Sequence, residues 1–401
     1  MSEILKYVII GNGIAGLSAA EEIRKRDEKG TITMVTSENI LTYYRVKLSH
    51  YIGTAFDDKQ MLVHDEKWYQ DRNIDVILNQ IAEEIKVKEN RIRLDNGTEL
   101  TYDRLLLANG SRPFVPPVNG RYKGGIFALR TIKDLKYMQQ YFSICNDITI
   151  IGGGLLGLEA AWAIKSSGKN VNVIEFFPYL LPKQLDEPLS AKLLQKLEGK
   201  GLNFYLGSAV EEITGDTEAD GIKMKDGSEF KTDAVIFSSG VRSSLDLVQD
   251  TGIAFDIGVK VNKYLRTNID NIYAAGDIAE VDGVVLGLWS TAMAQGKAAG
   301  QNMAGDLVEY KLAQPFTMLT IAGINVFSAG NIQEYDMTLE HTEEKKEHYY
   351  KIYLTNHKIT GGILMGDTSH APKFKKAIND NINVEQLMEK GMGCWEIINS
   401  F

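Results

Sequence analysis

The residues whose spacing could do chemistry in this 401-residue chain are two sets of glycines and the acids that follow them. Gly11, Asn12, Gly13, Ile14, Ala15 and Gly16 break the apolar run Tyr7 to Ile10 and open a stretch with helical spacing to Arg26. Such a strand–turn–helix lets a pyrophosphate approach the backbone and rest on the helix N-terminus, where unpaired N–H groups and the helix dipole favour negative charge. A second strand, Thr31 to Thr36, then leads to Glu38, whose carboxylate can accept hydrogen bonds from an adenosine ribose. Gly152, Gly153, Gly154, Leu155, Leu156 and Gly157 repeat the turn after Ile148 to Ile151, and Val171 to Ile174 again ends in an acid, Glu175. The interval from Gly152 to Glu175 is near the separation of about 20 expected for a ribose-binding carboxylate.

The elements that must hold these groups are duplicated as well. After the first turn come a hairpin around Asn96 and Gly97, then Asp103, the buried strand Arg104 to Ala108, Asn109, Gly110 and Arg112. After the second come a hairpin around Asp226 and Gly227, then Asp233, the strand Val235 to Gly240 and Arg242. Two copies of one nucleotide-binding domain account for this repetition. A further buried strand, Ile272 to Ala275, ends in Gly276 and Asp277 and precedes a helix expected from about Ser290 to Ala304. Coming after the second copy's exit strand, it is expected to return to the first sheet, which makes the second copy an insertion.

The expected fold is therefore α/β: two Rossmann-like dinucleotide-binding domains, one inserted in the other, followed by a small α+β domain. The first domain is placed at 1–113 and 246–314, the second at 114–245 and the third at 315–401. In the third domain an acidic, lysine-rich loop is expected at Glu340 to Glu347. A hairpin of His348 to Leu354 and Lys358 to Leu364 should follow, then helices near Pro372 to Ile378 and Val384 to Glu389.

Bulk properties narrow the function. With 44 Lys and Arg against 53 Asp and Glu, the formal net charge of −9 argues against nonspecific binding to nucleic acid or to an anionic membrane surface. No apolar run reaches the roughly 18 residues of a membrane span, and no charged-then-apolar leader precedes the first strand, so a cytoplasmic location is expected. Cys145 and Cys394 are too far apart in sequence to form a CxxC pair or part of a metal cluster, and no metal site is expected.

Both glycine turns in order with Tyr273 to Asp277 resemble the two-dinucleotide-domain flavoproteins of the pyridine nucleotide-disulfide oxidoreductase superfamily, over about Lys6 to Gly305. The first turn, Tyr43, Tyr44 and Arg45, the segment Trp289 to Gly296 and the C-terminal domain look most like NADH:rubredoxin oxidoreductases and the flavin domain of assimilatory nitrite reductases. The resemblance implies FAD in the first domain, with Gly11, Gly13, Ile14, Ala15 and Gly16 lining its pyrophosphate, Glu38 at its adenosine ribose and Asp277 at ribityl or pyrophosphate oxygens. Ala108, Asn109, Gly110, Gly276 and Trp289 complete that implied site; Asn109 stands where many relatives carry Thr. In the second domain it implies a nicotinamide dinucleotide over Gly152, Gly154, Leu155, Leu156, Gly157 and Gly240. Glu175 would take the ribose 2′-OH, and Glu159 would lie beside the nicotinamide ring. Phe176, Phe177 and Pro178 offer no cation to a 2′-phosphate, which favours NADH over NADPH.

Many members of that superfamily use a cysteine near the flavin, and Tyr43 to Leu48 contains none. The resemblance thus implies direct flavin chemistry: hydride from NADH to flavin, then single electrons to a small carrier protein, rubredoxin first. An NADH oxidase, a reductase of ferredoxin or of a nitrite-reductase component, and a non-catalytic redox-sensing module are the alternatives. Arg45 and Lys47, with the helix N-terminus near Trp289, are expected to stabilise negative charge on reduced flavin, and Arg45→Ala to leave FAD bound but lower the flavin potential. Lys373, Lys375 and Lys376 are a possible local basic surface for an acidic carrier.

Overall fold

Lys6–Ile10 and Arg104–Leu107 are apolar almost throughout, the composition of strands covered on both faces, and both lie inside a parallel sheet. In a computed structural model describing residues 4–312 and 314–400, these strands join Thr31–Val35, Ile74–Ile77 and Ile272–Ala274. The order is Ile272–Ala274, Arg104–Leu107, Lys6–Ile10, Thr31–Val35, Ile74–Ile77, with every pairing parallel. The late strand Ile272–Ala274 thus returns to the first sheet, as the repeat pattern predicts. Lys6–Ile10 has Thr31–Val35 on one side and the much later Arg104–Leu107 on the other. That reversal of strand order opens a crevice at the strand's carboxyl end, where Gly11 lies.

The second copy reproduces this arrangement. Asp147–Ile151 lies between Asn170–Ile174 and Ala234–Phe237, with Asn203–Tyr205 and Ile126–Phe127 at the edges of a five-stranded parallel sheet. Each copy also carries a three-stranded antiparallel meander, and each meander has an irregularity in its first strand, between Ala82 and Glu84 in one and Val210 and Glu212 in the other. Ser111–Pro113 pairs antiparallel with Val241–Ser243, setting Arg112 opposite Arg242 and Ser111 opposite Ser243. Facing arginines repel; Asp246 bonds Arg112 at 2.7 Å, and Arg242 stacks 4.4 Å from the Phe114 ring centroid.

The described residues form two compact units. The first holds 4–47, 56–114 and 240–312; the second holds 48–55, 115–239 and 314–400. The chain therefore re-enters the first unit at Gly240, ahead of the expected position 246, because Val241–Ser243 completes the antiparallel ribbon.

In the first unit, helix Ile14–Arg26 meets helix Trp289–Met303 backbone to backbone. A Cβ on Gly296 would lie 2.2 Å from the Ala15 carbonyl oxygen, and one on Gly300 would lie 2.4 Å from that of Ala19. In the second unit, the C-terminal part is a five-stranded antiparallel sheet. Its order is Phe316–Ile321, Ile324–Gly330, Lys358–Met365, His348–Thr355, Met337–Glu343, with helices Ala371–Asn379 and Cys394–Asn399 packed against it. Phe374 is buried over Gly362, where a Cβ would come within 2.2 Å of its ring. Lys351 bridges Asp186 and Glu340, 2.6 Å from each, and the Tyr353 hydroxyl donates to Asp186 at 2.9 Å. Burial disfavours the lysine's charge, but the two carboxylates hold its ammonium above the ordinary value.

One expectation for this part is corrected. Met337–Glu343 is an edge strand rather than a loop as far as Glu343; its two acids, Glu340 and Glu343, read as loop but suit a sheet edge, where charge blocks pairing with another chain. Cys394–Asn399 is a further helix, beyond the two expected. Among the described residues no helix is long and apolar enough to cross a membrane.

Candidate functional site

In the first unit Gly11 has φ +114°, and a Cβ there would stand 2.1 Å from the Ala108 carbonyl oxygen; only glycine lets the turn cross the exit of the neighbouring strand. A Cβ on Gly16 would strike the Gly11 carbonyl at 2.1 Å, so the helix can start that close only without one. A Cβ on Gly13 would meet nothing beyond its own turn within 4 Å. Gly13 is the N-cap, no side chain caps the helix and no acid occupies its first turn, which leaves an open, positively polarised cradle fit for a pyrophosphate. Asn12 orders the next segment: its amide donates to the Ile40 carbonyl and its oxygen accepts from the Thr42 hydroxyl.

Glu38 accepts from the Tyr43 hydroxyl at 2.8 Å and from Arg45 Nη2 at 2.5 Å. Burial opposes the Arg45 charge, but Tyr43, Glu38 and Asp277 hold the guanidinium above its ordinary value. Arg45 is thus paired directly with the acid expected at the adenosine ribose. Lys47 places Nζ 4.5 Å from the Tyr44 ring centroid, and Tyr44 stacks on Trp289 at 5.9 Å. Trp289 opens its helix with no capping side chain and no acid in the first turn.

Asp277 is fixed by residues that sequence reasoning did not single out. Ser111 Oγ donates to its carboxylate at 2.7 Å, Ser243 Oγ to its backbone carbonyl at 2.8 Å, and buried Gln295 accepts from the Gly276 N–H at 2.8 Å. The two serines are cross-strand partners, so both repeats contribute to one anchor. Their only sequence signal was the matched spacing of Arg112 and Arg242. The Asn109 amide is taken up by the Ser244 carbonyl at 2.8 Å, and Ala108 and Gly110 flank it.

In the second unit the cradle recurs: Gly152 has φ +118°, Gly157 meets the Gly152 carbonyl, and Gly154 caps helix Leu155–Ser166 with open space around it. Leu155 is partly buried and Leu156 exposed. Glu175 is buried; Oε2 accepts from the Gly153 N–H at 2.6 Å and Oε1 from the Phe177 N–H at 2.9 Å. Each oxygen keeps a further lone pair for a ribose hydroxyl. Phe176 and Phe177 are exposed. Gly240, expected beside this turn, lies in the first unit, where its carbonyl accepts from the Phe114 N–H. Glu159 accepts from Ser49 Oγ at 2.7 Å, with His50 Nε2 at 3.8 Å.

Both cysteines lie in the second unit and are buried. Burial, with Asp233 nearby, pushes the Cys145 thiol up to about 11; burial, with Glu340 and Glu396, pushes Cys394 up to about 12. Thiols so shifted hold almost no thiolate at neutral pH. Among the described residues no group of three His, Cys, Asp or Glu side chains could hold a metal ion.

Residues 5–296 match the family model for pyridine nucleotide-disulphide oxidoreductases. The chain belongs to that family. Residues 315–382 match a second model, the rubredoxin NAD+ reductase C-terminal domain. The chain is similar to the NADH-rubredoxin oxidoreductase of Clostridium acetobutylicum, 32% identical over 95% of this chain and 96% of the relative. The crystal structure of the NADH:rubredoxin oxidoreductase from that organism superposes over the full length of both chains with a TM-score of 0.84 at 31% identity. The nitrite reductase [NAD(P)H] of Bacillus subtilis is 33% identical over 95% of this chain, and the assimilatory nitrate reductase electron transfer subunit of the same organism 34% over 90%. The chain spans about half the length of these two, 48% of each. A ferredoxin reductase from Rhodopseudomonas palustris shares the fold, with a TM-score of 0.88 at 22% identity.

Proposed function

We propose that this chain is an FAD-dependent oxidoreductase that takes hydride from NADH and passes electrons singly to a small carrier protein, rubredoxin in the first place. Flavin supplies the conversion of a two-electron donor into one-electron deliveries. The chain's own residues bind and orient. Gly13 and the helix start at Ile14 receive the FAD pyrophosphate, Arg45 neutralises it, Glu38 takes the adenosine ribose, and Asp277, held by Ser111 and Ser243, takes ribityl or pyrophosphate oxygens. In the second unit Gly154 and Leu155 receive the NADH pyrophosphate, Glu175 the ribose and Glu159 the nicotinamide end.

The observation that carries the acceptor is the match of residues 315–382 to the rubredoxin NAD+ reductase C-terminal domain in a chain that spans 96% of a relative named NADH-rubredoxin oxidoreductase. The half-length match to the nitrite reductase favours a second reading, an electron-supplying module for such a partner. Of the three lysines offered as a docking surface, Lys376 is exposed, whereas Lys375 lies 3.5 Å from the Phe316 ring centroid at a cleft of about 500 Å³ that includes Met318 and Phe327. Lys376 is therefore the lysine proposed to meet an acidic carrier.

The test is anaerobic: NADH and oxidised rubredoxin are mixed with the yellow protein and rubredoxin bleaching is followed, beside an aerobic control without the carrier. Rapid bleaching with little NADH consumed in air supports the reading. Reduced flavin with rubredoxin still oxidised removes the acceptor and leaves the flavoprotein. The variant Cys145→Ser with Cys394→Ala should bleach rubredoxin at the parent rate, and loss of bleaching with FAD retained would restore a thiol relay.

A further inference from the structure

The segment 48–55 belongs to the second unit although the chain on both sides of it belongs to the first. Three contacts fix it there. A Cβ on Gly53 would lie 2.3 Å from the Ala163 carbonyl oxygen, so this backbone rests directly on helix Leu155–Ser166. The Gln139 amide of helix Ile132–Phe142 donates to the Tyr51 carbonyl at 2.6 Å and the Thr54 carbonyl at 2.8 Å. Ser49, 2% exposed, donates its hydroxyl to Glu159 Oε2 at 2.7 Å.

Glu159 has no cation on its own helix within a turn: the residues three and four away are Leu155, Leu156, Trp162 and Ala163. Its side chain is 17% exposed, and the other group near Oε2, the exposed His50, stands at 3.8 Å. Among the described residues nothing bonds Oε1. One oxygen is thus tethered by a rigid strap and the other is left for a ligand.

We infer that Ser49 is a positioning residue for the NADH reaction, holding the Glu159 carboxylate in one rotamer at the nicotinamide end of the second site. This rests on the reading of Glu159 proposed above. A hydrogen bond to a carboxylate is about twice as strong as a neutral one, and hydride transfer needs reacting atoms held within roughly 3 to 3.5 Å. Loss of the tether therefore leaves dinucleotide binding to the glycine turn and Glu175 but loosens the ring.

The experiment uses the FAD-loaded protein and compares Ser49→Ala, Ser49→Thr, Glu159→Gln and the double variant Ser49→Ala with Glu159→Gln. Four quantities are read: the limiting rate of flavin bleaching by NADH, the calorimetric Kd of NAD+, the change NAD+ makes in the flavin visible spectrum, and Tm. Ser49→Ala is expected to slow bleaching about tenfold, or about 1.4 kcal/mol, with Kd changed less than about twofold and a smaller spectral change. Ser49→Thr restores rate and spectrum, and Ser49→Ala costs nothing further once Glu159 is Gln. Full rate in Glu159→Gln overturns the reading of Glu159 itself. A slow Glu159→Gln beside a full-rate Ser49→Ala overturns the role of Ser49 alone, as does a Ser49→Ala whose Kd rises in step with its loss of rate. Should Ser49→Ala not fold, Ser49→Cys, with a weaker donor, is expected to bleach slower than the parent; a parent rate overturns the proposal.

Discussion

Gly296→Ala tests whether the first dinucleotide cradle depends on the backbone contact between its two long helices. The new Cβ would lie 2.2 Å from the Ala15 carbonyl oxygen and 2.8 Å from Ala15 Cα, and neither can rotate away because both are backbone. Reaching a separation of 3.0 to 3.4 Å requires the helices to part by 0.8 to 1.2 Å, the difference from 2.2 Å. Gln295 cannot follow without strain, since its side chain holds the Gly276 N–H at 2.8 Å and a movement of that size breaks the bond or drags the Gly276–Asp277 turn with it. Overpacking costs about 1–3 kcal/mol, and leaving buried Gln295 unpaired costs about 1–3 more. Replacing Gly by Ala in a helix returns about 1 kcal/mol. A net loss of about 1–5 kcal/mol, centred near 3, is expected, a fall in Tm of about 6–12 °C at the centre of that range for a unit of this size, with partial loss of FAD. The control is Gly199→Ala at the end of helix Glu187–Glu198, where φ is −61° and the new Cβ meets its nearest atoms at 3.4 and 3.5 Å; it should lie within about 0.5 kcal/mol of the parent. Scanning calorimetry and the ratio of 450 to 280 nm absorbance read both effects. A Gly296→Ala protein that melts at or above the parent temperature with full FAD would refute the argument.

Arg45→Ala should lower FAD retention on dilution while leaving the flavin potential of the retained fraction near the parent's, because Arg45 is paired with Glu38; a lowered potential at full occupancy in a redox titration would return Arg45 to the flavin ring. Glu175→Ala removes the acceptor of the Gly153 and Phe177 N–H groups and should raise the KM for NADH about tenfold or more while changing that for NADPH less; steady-state kinetics with both nucleotides decide it. Burial would raise the Glu22 pKa, but hydrogen bonds from Gln301, Lys25 and Arg26 outweigh it and bring the carboxyl from 4.5 down to about 2. A depressed folded-state value stabilises the protein above the ordinary carboxylate range, and that stability is lost as pH falls from about 4.5 towards 2. Glu22→Gln should therefore destabilise the protein at pH 7 by up to about 3 kcal/mol and by far less near pH 2.5, as followed by urea titration at both pH values.

The parts of the fold and of the candidate site legible in the sequence were those written in local pattern. The glycine turns, Glu38 and Glu175 follow buried strands at fixed spacing, and the duplicated hairpins mark two sheets of one kind. What was missed is held by single polar atoms reaching across long separations in sequence. Ser111 and Asp277, Ser49 and Glu159, and Asn109 and Ser244 have no common spacing, and a serine or asparagine in a turn is ordinarily explained by the turn alone. The pairing of Arg45 with Glu38 was missed for a related reason: its cationic type suggested reduced flavin, and nothing local marked the carboxylate seven residues earlier as its partner. Gly296 and Gly300 did carry a signal, since small residues four apart on one helix face mark a close helix neighbour.

The ribbon that pairs Arg112 with Arg242 also bears on how the chain reaches its folded state. The first sheet needs Ile272–Ala274 beside Arg104–Leu107, a pairing delayed by the whole inserted sequence if that sequence is still a coil. Because residues 113 and 241 end up as neighbours, an insertion that has already collapsed presents its two ends side by side and replaces that long loop by a short bridge. Folding of 115–239 first would thus be a precondition for rapid closure of the sheet that surrounds it, and a slow second copy would leave the first one open at the edge where Ile272–Ala274 belongs.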